Sequence, residues 1–198
     1  HIGNRPGVIL KAIFYRLLAR YGPQSWWPAD GPFEMIMGAI LTQNTAWDNA
    51  EKALVNLKMA GVMSPKSLRE ISHEDLAVLI RPSGYFNSKA RKLKSFATHL
   101  ARYSDDLDML FASEVAQLRK ELLGIYGIGD ETADDIILYA ANKPSFVIDS
   151  YTRRIILRLG LTPERDNYAA HQRLFTDVLP PDTAMFNEYH ALLDHHAK

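Results

Sequence analysis

From Leu122 to Ala133 the sequence reads Leu-Leu-Gly-Ile-Tyr-Gly-Ile-Gly-Asp-Glu-Thr-Ala, and its three glycines stop one helical pattern just before an acidic first turn starts the next. Two helices joined this tightly form a glycine hairpin, and a chain that contains one buries its apolar faces helix against helix. The rest of the sequence agrees. Val8, Ile9, Ala12, Ile13, Leu17 and Leu18 predict a helix over about 6–21, closed by Gly22-Pro23. Phe33, Met35, Ile36, Ala39, Ile40 and Leu41 predict a second, to about Gln43. Further patterns predict helices near 46–60, 65–70, 73–80, 87–103, 113–123, 130–141, 149–159, 167–179 and 183–197, with Ser145–Ile148 as a short extended link. Strand signals are almost absent, so the fold class is all-α, made of packed helical layers.

Composition narrows the function. The 198 residues suffice for one sizeable core or two modest lobes, and 47% hydrophobic with 23% charged residues excludes a disordered chain. With no cysteine, these residues hold no disulfide framework, thiol nucleophile or iron–sulfur cluster. Apolar runs break within about ten residues, against roughly 20 for a membrane span, and no export leader is recognisable. A cytoplasmic monomer is the default expectation. Lys plus Arg and Asp plus Glu number 23 each, so a nucleic-acid partner has to be met by local placement of charge.

The hairpin supplies such a placement. Glycines at 127 and 129 permit positive φ and leave no Cβ in the way, so that backbone N–H groups at the next helix's start can face a phosphate. Contacts of that kind grip a nucleic-acid backbone without reading sequence and without excess basic residues. A tight αα turn with no ligand uses the same glycines. About twenty residues on, Asp149 follows the apolar Phe146-Val147-Ile148 and opens a helix. A partly desolvated carboxylate there can stabilise positive charge at a sugar C1′ and activate a water. It can equally be an N-cap, and a cap carboxylate has a fixed position.

Together these residues resemble the helix–hairpin–helix DNA glycosylases of the endonuclease III superfamily. The likeness rests on Gly127-Ile128-Gly129 through Thr132-Ala133, on Val147-Ile148-Asp149 with Arg153, on Leu41-Thr42-Gln43-Asn44-Thr45, and on Gly84-Tyr85-Phe86-Asn87-Ser88-Lys89-Ala90. These motifs span about residues 30–160 in the family's order. The resemblance implies two helical lobes with a DNA-binding cleft between them: a six-helix lobe over 32–143, and a second lobe from 1–31 plus 144–198. It implies Asp149 as the catalytic carboxylate. It also implies DNA contacts from Gly127, Ile128 and Gly129, from Gln43 filling the gap left by an extruded base, and from Tyr85 as a wedge. Lys89 and Arg153 are the expected phosphate contacts.

Departures from the family pattern refine this. Bifunctional members carry a lysine nucleophile two residues after the second hairpin glycine, and here that place is Glu131, which cannot form an imine. Activity as an AP lyase is therefore not expected. A first-turn acid such as Glu131 also complements the helix dipole. Tyr126 replaces the usual hairpin proline. Trp26-Trp27-Pro28, Trp47 beyond Leu-Thr-Gln-Asn-Thr, and Glu131 resemble the base pocket of the 3-methyladenine branch, whose cationic purines suit electron-rich indoles. Tryptophans packing core against core are the plain alternative. The expected function is a monofunctional glycosylase acting on double-stranded DNA with a damaged base, an alkylated purine such as 3-methyladenine. The rivals are an endonuclease III-like glycosylase for oxidised pyrimidines or mismatches, and a non-catalytic binder of damaged DNA. No cofactor is expected within this chain, and a 4Fe-4S cluster only if the protein continues past Lys198. His190, His195 and His196 are expected to be solvated residues of the last helix rather than metal ligands, and no metal site is expected.

Overall fold

The computed structural model describes residues 5–27 and 29–198. Among them are twelve α-helices and no strand: α1 (Arg5–Tyr21), α2 (Pro32–Leu41), α3 (Trp47–Met59), α4 (Pro65–Glu70), α5 (His73–Leu79), α6 (Phe86–Leu100), α7 (Leu107–Leu110), α8 (Val115–Leu123), α9 (Asp130–Asp135), α10 (Ser150–Arg158), α11 (Tyr168–Thr176) and α12 (Thr183–Ala197). The starts follow local chemistry. Side-chain oxygens of Ser64, Ser72, Asp106, Asp149, Asn167 and Asp182 accept first-turn N–H groups of α4, α5, α7, α10, α11 and α12. Each such cap contributes about 1 kcal/mol.

The chain divides into two compact units, one running from Pro28 to Ala141 and the other made of the described residues up to Trp27 with Asn142–Lys198. The sequence reading put those boundaries at 31/32 and 143/144. In the first unit α2 is buried on every side, from Met35 through Leu41, which makes it the central helix. α6 packs on α2, α4 and α5 through a stripe at helical spacing: Lys89, Leu93, Phe96 and Leu100. α8 and α9, the arms of the hairpin, are strapped together by Arg119, which donates to fully buried Asp134 at 2.9 Å and to Asp130 at 2.8 Å. That bond to Asp134 raises the Arg119 pKa, although burial opposes it.

Three elements differ from the sequence expectation. The helix expected over 130–141 leaves α-geometry at Asp135 and continues as a π-turn over Ile136–Ala140, closed by Ala141 N–H to Ile136 O at 2.9 Å. The helix expected to reach 103 ends at Leu100 and tightens into a 3-10 turn. The short α7 is extra, nucleated where Asp106 caps Asp108 and Met109 N–H.

The second unit packs α12 against α1 and α10. Its centre is aromatic: Phe146 stacks on Phe175 at 4.1 Å, with Phe186 and Tyr189 edge-on at 5.2 and 5.7 Å. Tyr189 donates its hydroxyl to Leu10 O at 2.7 Å, tying the first helix to the last.

Lys89 corrects the sequence reading. It was expected as a phosphate contact, yet it is 1% exposed, and Nζ donates to Leu41 O at 2.8 Å and Ser83 O at 2.7 Å. It joins the end of α2 to the turn before α6. Burial, helped by the charge of Lys92, brings its pKa down to about 8. Below that pH, the proton is bound in folded and unfolded chains alike. Between about 8 and 10.5 only the unfolded chain keeps it, so stability rises with pH across that window. Urea unfolding across the window is expected to show wild type gaining about 3 kcal/mol relative to Lys89→Met. A pH-independent difference between the two proteins would contradict the assignment.

Candidate functional site

The hairpin is anchored from below and open above. Ile125 and Ile128 are each 5% exposed and pin its base into the first unit's core, with Ile128 N–H donating to Ile125 O at 3.2 Å. Gly127 has φ +86°, and a Cβ there would lie 2.1 Å from Lys92 Cγ. Glycine is thus required twice, by conformation and by the lysine stem across it. Gly129 departs from the sequence expectation: its φ is −94°, an ordinary value, and a Cβ would meet nothing within 4 Å. It opens α9 with no side chain as cap, leaving the approach to that helix start bare.

Gln43 is held at both ends of its amide. Nε2 donates to Gly127 O at 2.9 Å and Thr132 Oγ1 at 3.0 Å, and Oε1 accepts from Lys92 Nζ at 2.7 Å. Gln43, Asn44, Lys92, Gly129 and Glu131 line a cavity of about 470 Å³ over the hairpin. The sequence reading missed Lys92 and Thr132 as organisers of this site. It also missed Arg91, whose guanidinium lies 3.8 Å from the Tyr126 ring centroid and stacks on the residue that stands in the proline position. Tyr85 is left-handed, at φ +45°, and the residue is 69% exposed. For a bulky residue that is strain, and the surrounding turn holds an apolar ring out to solvent.

In the second unit, buried Phe146-Val147-Ile148 delivers Asp149 to the start of α10. The segment is fixed by Gln172 Nε2 donating to Phe146 O at 2.8 Å and by Tyr168 Oη accepting Ile148 N–H at 3.2 Å. Asp149 caps α10 through Oδ1, which accepts Thr152 N–H at 2.7 Å, and Oδ2 accepts from His190 Nε2 at 2.9 Å. Burial alone would push this carboxyl up. The His190 hydrogen bond and charge, with the Thr152 N–H, outweigh it and hold the pKa below the usual value. Asp149 is therefore an ionised carboxylate with only 13% of its side chain exposed. His190, expected to be solvated, is 4% exposed. The Trp26 ring centroid lies 5.9 Å from that of His190 and 4.7 Å from that of Trp27, so two indoles and the partner of Asp149 form one aromatic group. Among the described residues no set of three or more His, Cys, Asp or Glu gathers around a metal position.

The sequence and fold can be set beside known proteins. The model of the HhH-GPD superfamily of base excision DNA repair proteins matches residues 37–181. A Methanocaldococcus jannaschii protein bearing the name of a DNA repair glycosylase is 42% identical over 94% of this chain and 86% of its own. Endonuclease III of Sulfolobus acidocaldarius is 31% identical over 84% of this chain and 73% of its own. Among solved structures, the H. pylori 3-methyladenine DNA glycosylase bound to 1,N6-ethenoadenine superposes with TM-score 0.80 at 28% identity, covering 97% of this chain and 96% of that one. The chain belongs to the HhH-GPD superfamily. It is a DNA glycosylase of the base excision repair type, and no described helix is long and apolar enough to cross a membrane.

Within this glycosylase the remaining expected residues are placed as follows. Glu131 is exposed in the first turn of α9. Trp47 sets the edge of its ring 3.3 Å from the Cβ position of Gly38, so part of that indole packs on α2. Arg153, expected to meet phosphate directly, is paired with Asp166, which also bonds His171 Nε2 at 2.9 Å. A phosphate would have to displace that carboxylate. An iron–sulfur cluster needs cysteine ligands, and these 198 residues contain none.

The two hairpin glycines separate structure from access. Gly127→Ala is expected to lower the unfolding free energy by about 1–3 kcal/mol, whereas Gly129→Ala changes it by less than about 1 kcal/mol. Chemical denaturation of both variants checks this, and equal losses would contradict the Lys92 contact.

Proposed function

We propose that this glycosylase is monofunctional and hydrolyses the N-glycosidic bond of an alkylated purine, such as 3-methyladenine, flipped out of double-stranded DNA. The observation that carries the reading is the largely buried, ionised Asp149 bonded to His190, with Trp26 against His190 and Trp27 against Trp26. A purine alkylated at N3 or N7 carries a formal positive charge, and indole faces attract such a cation by roughly 0.5–2 kcal/mol. It is also a ready leaving group. The C1′–N bond breaks with its electron pair moving onto the base, which departs neutral. The positive charge developing at C1′ is stabilised by the Asp149 carboxylate, and the attacking water passes its proton to that carboxylate or on to solvent. No acid is needed to protonate the base.

Glu131 supports the monofunctional part. Where an amine would attack C1′ and form an imine, this chain has a carboxylate in the cavity over the hairpin. In the reading, the hairpin N–H groups hold the phosphodiester strand, Tyr85 wedges the duplex and Gln43 meets the orphaned position. The likeness to the H. pylori enzyme, whose structure holds 1,N6-ethenoadenine, favours purine substrates. The identity with the Sulfolobus endonuclease III keeps oxidised pyrimidines as the second reading.

Base release from duplexes carrying 3-methyladenine, 7-methylguanine or thymine glycol, with and without borohydride, tests the proposal. Release of the methylated purines and no borohydride-trapped adduct are expected. Release of thymine glycol alone would overturn the substrate class, and a trapped adduct the monofunctional reading. Asp149→Asn should lower turnover by 100-fold or more, on the order of 3 kcal/mol, with duplex affinity kept. A protein with no turnover to lose would be a binder of damaged DNA.

A further inference from the structure

We propose that His190 is a positioning residue for catalysis, its ring N–H locking the Asp149 carboxylate in the orientation in which one oxygen caps α10 and the other is held for the reaction. The inference rests on Asp149 being the catalytic carboxylate. α12 packs on α10, and along α12 the buried positions Phe186, Tyr189, His190 and Leu193 form the stripe that faces the core. On that stripe the Tyr189 hydroxyl is taken by Leu10 O, and His190 Nε2 stands 2.9 Å from Asp149 Oδ2. A carboxylate accepts and never donates, so the ring N–H is the donor. With Thr152 N–H on Oδ1, one donor from each side fixes the rotation of the carboxylate plane, while each oxygen keeps lone pairs free for other partners.

Other charged groups on α12 and its neighbours have partners of their own. Glu188 of α12 accepts Gln24 N–H at 2.6 Å, and Asp194 pairs with Lys198. Tyr21 of α1 bonds His196 Nδ1 at 2.9 Å. From α10, Arg153 pairs with Asp166, and Arg154 donates to Ala197 O at 2.7 Å. The contact that opposes the burial of Asp149 from α12 is therefore His190. Without it the largely buried carboxylate keeps, among the described residues, Thr152 as its donor, and much of the desolvation that favours its protonated form goes unanswered.

Single-turnover release of 7-methylguanine from duplex DNA, measured from pH 4.5 to 8, tests this. The substrate carries a permanent charge, so an acid limb reports the enzyme. Wild type should hold its rate down to about pH 5. His190→Phe should lose about 10-fold or more near neutral pH and show an acid limb shifted up by at least about one pH unit. His190→Gln, whose amide supplies a donor without a titrating ring, should return within about 10-fold of wild type with most of the shift removed. An unshifted limb in His190→Phe, its loss equal at every pH, would mean a merely structural role and overturn the proposal. If His190→Phe folds too poorly to assay, a His190→Gln rate more than about 100-fold below wild type overturns it. Asp149→Asn in the same assay isolates the underlying reading: wild-type rates in that variant would remove Asp149 from the chemistry, whatever His190 does.

Discussion

A carboxylate nearly withdrawn from water stays ionised only where hydrogen bonds aimed at its charge replace the lost hydration. Asp149 meets that condition with two donors of different origin. The Thr152 N–H comes with the helix that Asp149 itself caps, so it follows from local sequence. The His190 N–H arrives from α12, more than forty residues on, and exists only when the aromatic centre of the second unit is assembled. The charge that the proposed chemistry uses is thus a product of tertiary packing, and anything that loosens α12 changes it.

In the proposed function the hairpin answers a different problem, how a chain with no net charge holds a polyanion. The donors proposed for it are backbone N–H groups at the start of α9, which Gly129 leaves without a side-chain cap. Gly127 lets the turn close over the Lys92 stem, and the Gln43, Lys92 and Thr132 side chains lock it from within. The bond between Arg119 and fully buried Asp134 straps the two arms. Rigidity of this kind lowers the ordering cost of any binding at the turn.

What was legible in the sequence was what depends on neighbours in the chain. Glycine spacing marked the hairpin, an apolar triplet followed by an aspartate marked the capped helix, and helical spacing of apolar residues marked nearly every element. The π-turn after Asp135 was not legible, because widening a helix by one residue leaves the apolar pattern intact. Lys89 and His190 were misread for a shared reason. Each is polar by type but stands on an apolar stripe, Lys89 with Leu93 and Phe96, His190 with Phe186 and Leu193. Position along the stripe carried the signal of burial, and residue type concealed it. The ion pair of Arg153 with Asp166 joins a helix to a loop, and no spacing rule indicates such a partner.

The central claim is that Asp149 is charged although it is largely buried. Titration of its side-chain carboxyl carbon by NMR in the free, folded protein measures this directly. The account predicts a midpoint below 3.8, the ordinary value for an aspartate. A midpoint above it would show that burial prevails over His190 and Thr152, and would contradict the account.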